Sequence, residues 1–248
     1  MPTYWVVLSD LHEHTAHLER LAGELRDAAG VILSGDLTMF GGRDEAARVL
    51  DAVRAVHPNV LAVPGNTDHP DVLEYLEEQG VSLHGRAVRV GDVAIYGVGG
   101  ANPTPFGTPF ELPEREIAAL LDRALAAAGD APAHVLVSHP PPFESGVDRL
   151  WSGRPVGSRA VRAHIEAHPP ALVLCGHIHE GRGTGVVGAT PVHNPGPFVT
   201  GGFVRITIDG SRIEGRCERL PLGTAARAFH GAKHLAHKIG RLPRRHAR

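Results

Sequence analysis

The chain has 248 residues, with 27 Asp plus Glu, 25 Lys plus Arg and 17 His. At 42 % hydrophobic and 21 % charged it can bury a sizeable core, which excludes global disorder, and its two cysteines, Cys175 and Cys217, exclude a disulfide scaffold and a cysteine-rich zinc module. The surplus of histidine points to metal or acid–base chemistry, because imidazole is the commonest metal ligand and titrates near neutral pH.

Apolar runs of strand length alternate with helix-length segments. Residues 4–9 read as a strand and 13–28 as a helix, with Leu18, Leu21, Leu25 and Ala28 at helical spacing. Tyr4 to Leu8 is too short for a signal segment and lacks a basic lead, and no run approaches the length of a membrane span, so a cytoplasmic protein is expected. Strands follow at 31–33 and 60–63, each with a helix after it, at 43–56 and about 70–79. Residues 86–90 and 93–98 pair as strands around Gly91-Asp92. The segment from Glu114 to Ala128 is a helix with Pro113 just ahead of it. A strand at 134–137, a helix at 158–168 and a strand at 171–175 complete the alternation. Beyond residue 183 the pattern turns to strands, at 184–193, 203–208 and 212–218, the last two joined by an Asp209-Gly210 turn. Such an order suggests an α/β layered domain over residues 1–222. Two long loops, 99–112 and 140–157, have the length of lids or binding loops.

Residues 223–248 differ in character. They hold seven basic residues (Arg227, Lys233, Lys238, Arg241, Arg244, Arg245 and Arg248) and no acid, which leaves 18 cations against 27 acids, a net of −9, for the rest. Ala225, Phe229, Ala232, Ala236 and Ile239 fall on one helical face, with the cations largely opposite. The plain expectation is a C-terminal helix packed on the body. The sharper one is a docking element for nucleic acid or an anionic membrane.

Five apolar runs each end in a polar cluster: Ser9-Asp10-Leu11-His12, Ser34-Gly35-Asp36, Pro64-Gly65-Asn66-Thr67-Asp68, Ser138-His139 and Gly176-His177-Ile178-His179. The carboxyl ends of parallel strands form one rim of an α/β sheet, so these clusters are expected to converge. Carboxylates, imidazoles and one carboxamide suit Mn, Fe, Zn or Co, and they are numerous enough for two ions.

These motifs, in this order, resemble the calcineurin-like metallophosphoesterases over about residues 4–218, and most resemble small prokaryotic phosphoesterases related to the cyclic-AMP phosphodiesterase group. Ser138-His139-Pro140-Pro141-Pro142 and Asn194-Pro195-Gly196 add to the likeness. The resemblance implies a four-layer α/β-β-α sandwich of two mixed sheets flanked by helices. It implies two divalent ions, with Mn favoured. Asp10, His12 and His179 would hold one, Asn66, His139 and His177 the other, and Asp36 would bridge. It further implies that a hydroxide bridging the ions attacks a phosphoester, whether a small molecule or a nucleotide.

One position departs from the family pattern. Where the family has Gly-Asn-His and then an acid, this chain has Gly65-Asn66-Thr67-Asp68. A threonine hydroxyl can donate a hydrogen bond but cannot serve as a titrating acid near neutral pH. Either the leaving group needs no acid, as in a phosphodiester or an activated phosphomonoester, or another histidine enters the site. Thr67, His14 and His193 are the substrate-contact candidates, with His69 a weaker one. Two other readings stand beside hydrolysis of a small phosphoester: a scaffold that has lost catalysis, and a nuclease that holds its substrate with the basic tail.

Overall fold

Period-two alternation along the strands builds the protein in four layers. The computed structural model describes residues 2–222; the basic helix expected over 223–248, and the boundary drawn before it, lie outside the described residues. One sheet contains β1 (Thr3–Leu8), β2 (Gly30–Ser34), β3 (Val60–Val63), β10 (Gly202–Asp209) and β11 (Arg212–Arg219), in the order β11-β10-β1-β2-β3. The second contains β4 (Arg86–Val90), β5 (Val93–Val98), β6 (Ala133–Ser138), β7 (Leu172–Leu174), β8 (Gly183–Val187) and β9 (Thr190–Asn194), in the order β4-β5-β6-β7-β9-β8. β1, β2 and β3 run parallel, as do β5, β6, β7 and β9, while the hairpin partners at the sheet edges are antiparallel.

The alternation assigns each strand residue to a layer. In β2, Val31 and Leu33 pack outward against α1 (Leu18–Asp27), α2 (Arg43–Arg54) and α3 (Pro70–Glu78) through Leu21, Leu25, Leu50 and Leu76. Ile32 packs inward with Trp5, Val7 and Val63 against Ile95, Val135, Val137 and Leu174 of the second sheet. Leu136 and Val173 face out again, to α4 (Glu114–Ala128) and α5 (Arg159–Ala167). A fully buried aliphatic side chain contributes about 1.5–3 kcal/mol. The apolar layer between the sheets therefore holds the two sets of strand ends in a fixed relation, as a multi-residue site requires. The expected four-layer sandwich is the architecture observed.

Two boundaries differ from the sequence reading. Helix α1 begins at Leu18 and not near 13, because Asp10, His12 and Glu13 take left-handed backbone angles that no helix accommodates. The single strand expected over 184–193 is a hairpin, β8 and β9, turned at Gly188 with φ +58°. No helix among the described residues is long and apolar enough to cross a membrane.

Candidate metal centre

The loops that follow β1, β2, β3, β6 and β7 bring all five polar clusters together. Their backbones are strained to do so. Asp10, His12, Asp36 and His177 have φ of +52°, +47°, +51° and +67°, a conformation that costs non-glycine residues about 1–3 kcal/mol each. Backbone bonds offset this by continuing the strand pairing past the strand ends: Asp10 N donates to Gly35 O at 3.0 Å, His12 N to Asp36 O at 3.0 Å, and Gly176 N to His139 O at 3.0 Å. Two glycines are required by close approach. A Cβ on Gly35, which has φ +100°, would overlap His139 Nδ1, and one on Gly65 would overlap Asp36 Oδ1.

The side chains then meet in an arrangement that plain hydrogen bonding does not satisfy. His139 Nδ1 lies 2.8 Å from the Ser34 carbonyl and His12 Nδ1 lies 3.2 Å from the Thr38 carbonyl. A carbonyl only accepts, so each Nδ1 carries a proton, and in a neutral ring the Nε2 turns a lone pair into the site. His139 Nε2 is 3.1 Å from Asn66 Oδ1 and 3.4 Å from Asp36 Oδ1. His12 Nε2 is 3.3 Å from His179 Nε2 and 3.8 Å from Asp36 Oδ2. His179 Nε2 is in turn 3.4 Å from Asp10 Oδ1, which accepts His177 N at 3.1 Å. Asp10 Oδ2 is buried with no hydrogen-bond partner. The His177 ring packs beside His139, with centroids 5.3 Å apart. Acceptors facing acceptors in a buried setting repel unless a cation lies among them. The donor set, mixed nitrogen and oxygen, fits divalent Mn, Fe, Zn or Co. By geometry, Asp10, His12 and His179 form one group able to hold an ion, and Asp10, Asp36 and His139 another.

Titration properties follow from burial and from this crowding. Burial lowers the pKa of His12, and burial together with His139 lowers that of His177 to about 4, so both favour the neutral, metal-binding form. Burial opposes protonation of His179, but the hydrogen bond and charge of Asp10 outweigh it and raise its pKa. Asp10 itself is pushed up by burial and pulled down further by His179, His139 and His12, which hold it below the usual carboxylate range.

The residues at the departing motif have other partners. Thr67 N donates to Asp36 Oδ1 at 2.9 Å, and the Thr67 hydroxyl donates to the Thr38 carbonyl at 2.7 Å, so its proton is not aimed at a leaving group. Asp68 turns inward and accepts Leu37 N at 3.2 Å, Thr38 N at 2.7 Å, Thr38 Oγ1 at 2.8 Å and Gly65 N at 2.7 Å. Those four donors favour its carboxylate form, while burial and the Asp36 charge push its pKa up to about 7. Of the other contact candidates, His14 packs edge-to-face on His17 with centroids 4.5 Å apart, and His69 is exposed ahead of α3. The His193 ring points away from the cluster, with Nδ1 2.9 Å from Thr184 Oγ1 and 3.6 Å from Cys217 Sγ, and its far edge would meet a Cβ on Gly215. It therefore does not supply the absent imidazole.

Three residues with no assigned role at the sequence level bear on the site. Asn194 Nδ2 donates to the carbonyls of Gly176 and Ile178, at 3.2 and 2.9 Å, and so props the loop carrying His177. The Asn194-Pro195-Gly196 motif was a signal for it. From the 99–112 loop, Thr108 accepts from Asn66 and in turn donates to Glu111. Only the length of that loop pointed to them.

Residues 5–181 match the model of a family described as calcineurin-like phosphoesterase. An uncharacterised protein of Methanocaldococcus jannaschii is 33 % identical over 197 residues, which is 77 % of this chain and 87 % of that protein. Among solved structures, TT1561 of Thermus thermophilus superposes with a TM-score of 0.66 at 23 % identity, over 87 % of this chain and 99 % of its own. The purple acid phosphatase PPD1 of yellow lupin seeds gives a TM-score of 0.53 at 12 % identity, over 88 % of this chain and 52 % of its own. Both structures share the fold.

Proposed function

The chain belongs to the calcineurin-like phosphoesterase family, and from that premise we propose that it hydrolyses a phosphodiester or an activated phosphomonoester at a binuclear metal site. The observation that carries the reading is the convergence of metal-ligating atoms in a buried site, above all His139 Nε2 against Asn66 Oδ1 and Asp36 Oδ1. Asp10, His12 and His179 would hold one ion, and Asn66, His139 and His177 the other. Asp36 suits the place between them, since its two oxygens face the two halves, Oδ1 towards His139 and Oδ2 towards His12. When bound, two divalent ions, with Mn favoured, supply a nucleophile at neutral pH and stabilise charge on the phosphoryl oxygens.

The chain's own residues bear on the choice of substrate. The Thr67 proton is committed to Thr38, and His193 faces elsewhere. A leaving group that departs without a proton fits this site best, such as an aryl oxide or a nucleotide phosphate. General-acid assistance is typically worth about 10²–10⁴-fold, and the chain forgoes that factor for poor leaving groups.

Assays of the Mn²⁺-loaded protein on aryl phosphodiesters, aryl phosphomonoesters, cyclic nucleotides and alkyl phosphomonoesters test the proposal. Aryl esters should be turned over about 10²-fold or more faster than alkyl monoesters, and Asp36→Asn should lower the rate by about 10²–10³-fold. Absence of hydrolysis in every case, or an Asp36→Asn variant equal to wild type, overturns it and leaves the scaffold reading.

A further inference from the structure

Asn66 is an unusual member of the donor set because its amide has two similar ends and only one can meet a cation. With no ion bound, the wrong end is the better partner. An amide NH₂ turned towards a neutral His139 would donate to its Nε2 lone pair, where the oxygen can make no hydrogen bond. The observed orientation therefore needs an external cause.

The 99–112 loop supplies one. Asn66 Nδ2 donates to Thr108 Oγ1 at 3.0 Å, and Thr108 Oγ1 donates to Glu111 Oε1 at 2.8 Å. The same Glu111 oxygen accepts Thr108 N at 2.8 Å and Thr104 Oγ1 at 2.6 Å. Proton counting leaves one solution. A carboxylate only accepts, so the Thr108 proton points to Glu111; the hydroxyl then has only lone pairs left for Asn66, which must present its NH₂. The amide oxygen is thereby turned to His139, 3.1 Å away. The Asn66 backbone is held from the same loop, as its carbonyl accepts Phe110 N at 3.1 Å.

We propose that Thr108, oriented by Glu111, is a positioning residue that locks the Asn66 carboxamide with its oxygen towards the metal site. The Thr104–Glu111 segment thus sets the affinity of the ion held by Asn66, His139 and His177. This inference rests on the binuclear reading above. It separates the two ions, because nothing in the relay touches Asp10, His12 or His179.

Calorimetric titration of the metal-free full chain with Mn²⁺ tests it, comparing wild type with Thr108→Val, Thr108→Ser and Glu111→Gln. Wild type should bind two ions. Thr108→Val should weaken one of them by about 10–100-fold, the usual effect of losing an outer hydrogen-bond partner of a ligand, and leave the other unchanged. Thr108→Ser, which keeps the hydroxyl, should restore both. Glu111→Gln should shift the same ion in the same direction, since the Gln amide can donate to Thr108 and release the amide flip; it carries the test if Thr108→Val does not fold. Two ions at wild-type affinity in both Thr108→Val and Glu111→Gln overturn the inference while the binuclear reading stands. A wild type that binds no second ion overturns both.

Discussion

Single atoms decide the chemistry of this site, and the deciding ones are the inward-facing Nε2 atoms of His12 and His139. Their roles come from the Thr38 and Ser34 carbonyls behind them, which carry no signature in a sequence. Asp10, His12, Asp36, Asn66, His139, His177 and His179 could be read from the chain because each ends an apolar run and few other duties call for that residue type there. Thr108 could not, as it meets Asn66 only through a contact 42 residues apart. Nor could the facing of His193, whose motif lies beside the site while its ring does not. A further buried histidine makes a prediction about stability. His84 Nδ1 accepts Gly99 N at 3.0 Å, at the base of the Thr108 loop. Burial, and then the charge of Arg123, lower its pKa from 6.5 to about 4. The folded pKa is below the unfolded one, so the unfolded chain binds more protons between them. Its contribution is present above pH 6.5 and is lost as pH falls to about 4, by up to about 3 kcal/mol. His84→Asn keeps the acceptor and cannot titrate. Melting of the metal-free variant should be less sensitive to acid over that window; an acid loss equal to that of wild type would contradict the assignment.

At the scale of elements, the strand-end loops depend on one another. Asp68 is the tie between the loops after β2 and β3, accepting donors from Leu37, Thr38 and Gly65. In a sequence motif it reads as the orienter of an imidazole; in the fold, with Thr67 in that place, it holds together the two loops that carry Asp36 and Asn66. Asp68→Asn sets an NH₂ against buried donors and should cost about 1–3 kcal/mol, measured as a lowered melting temperature, with weaker Mn²⁺ binding alongside. Unchanged melting would mean that the tie is not needed. Strands and helices were legible to within a residue or two wherever periodicity ran unbroken. It failed at residues 13–17, where left-handed backbone at Asp10, His12 and Glu13 delays α1, and at Gly188, where a two-residue turn interrupts an apolar run. In both places local backbone geometry prevails over side-chain pattern.

For the whole molecule, two packed sheets act as a bed that brings carboxylates from the first sheet, Asp10 and Asp36, to imidazoles from the second, His139 and His177. The body excluding residues 223–248 has a net charge of −9, yet under the proposed function two divalent ions against the carboxylates of Asp10 and Asp36 would leave about +2 at the site, an attractive centre for a phosphoryl group. The convergence of the five polar clusters at one rim was legible in the sequence. The crowding of their nitrogen and oxygen atoms on one another became visible only once the sheets were packed. Anomalous scattering from crystals loaded with Mn²⁺ tests this claim most directly. The account predicts two peaks about 3.5–4 Å apart, one among Asp10, His12 and His179 and one among Asn66, His139 and His177, with Asp36 between them. A single peak, or none at these residues, would contradict it.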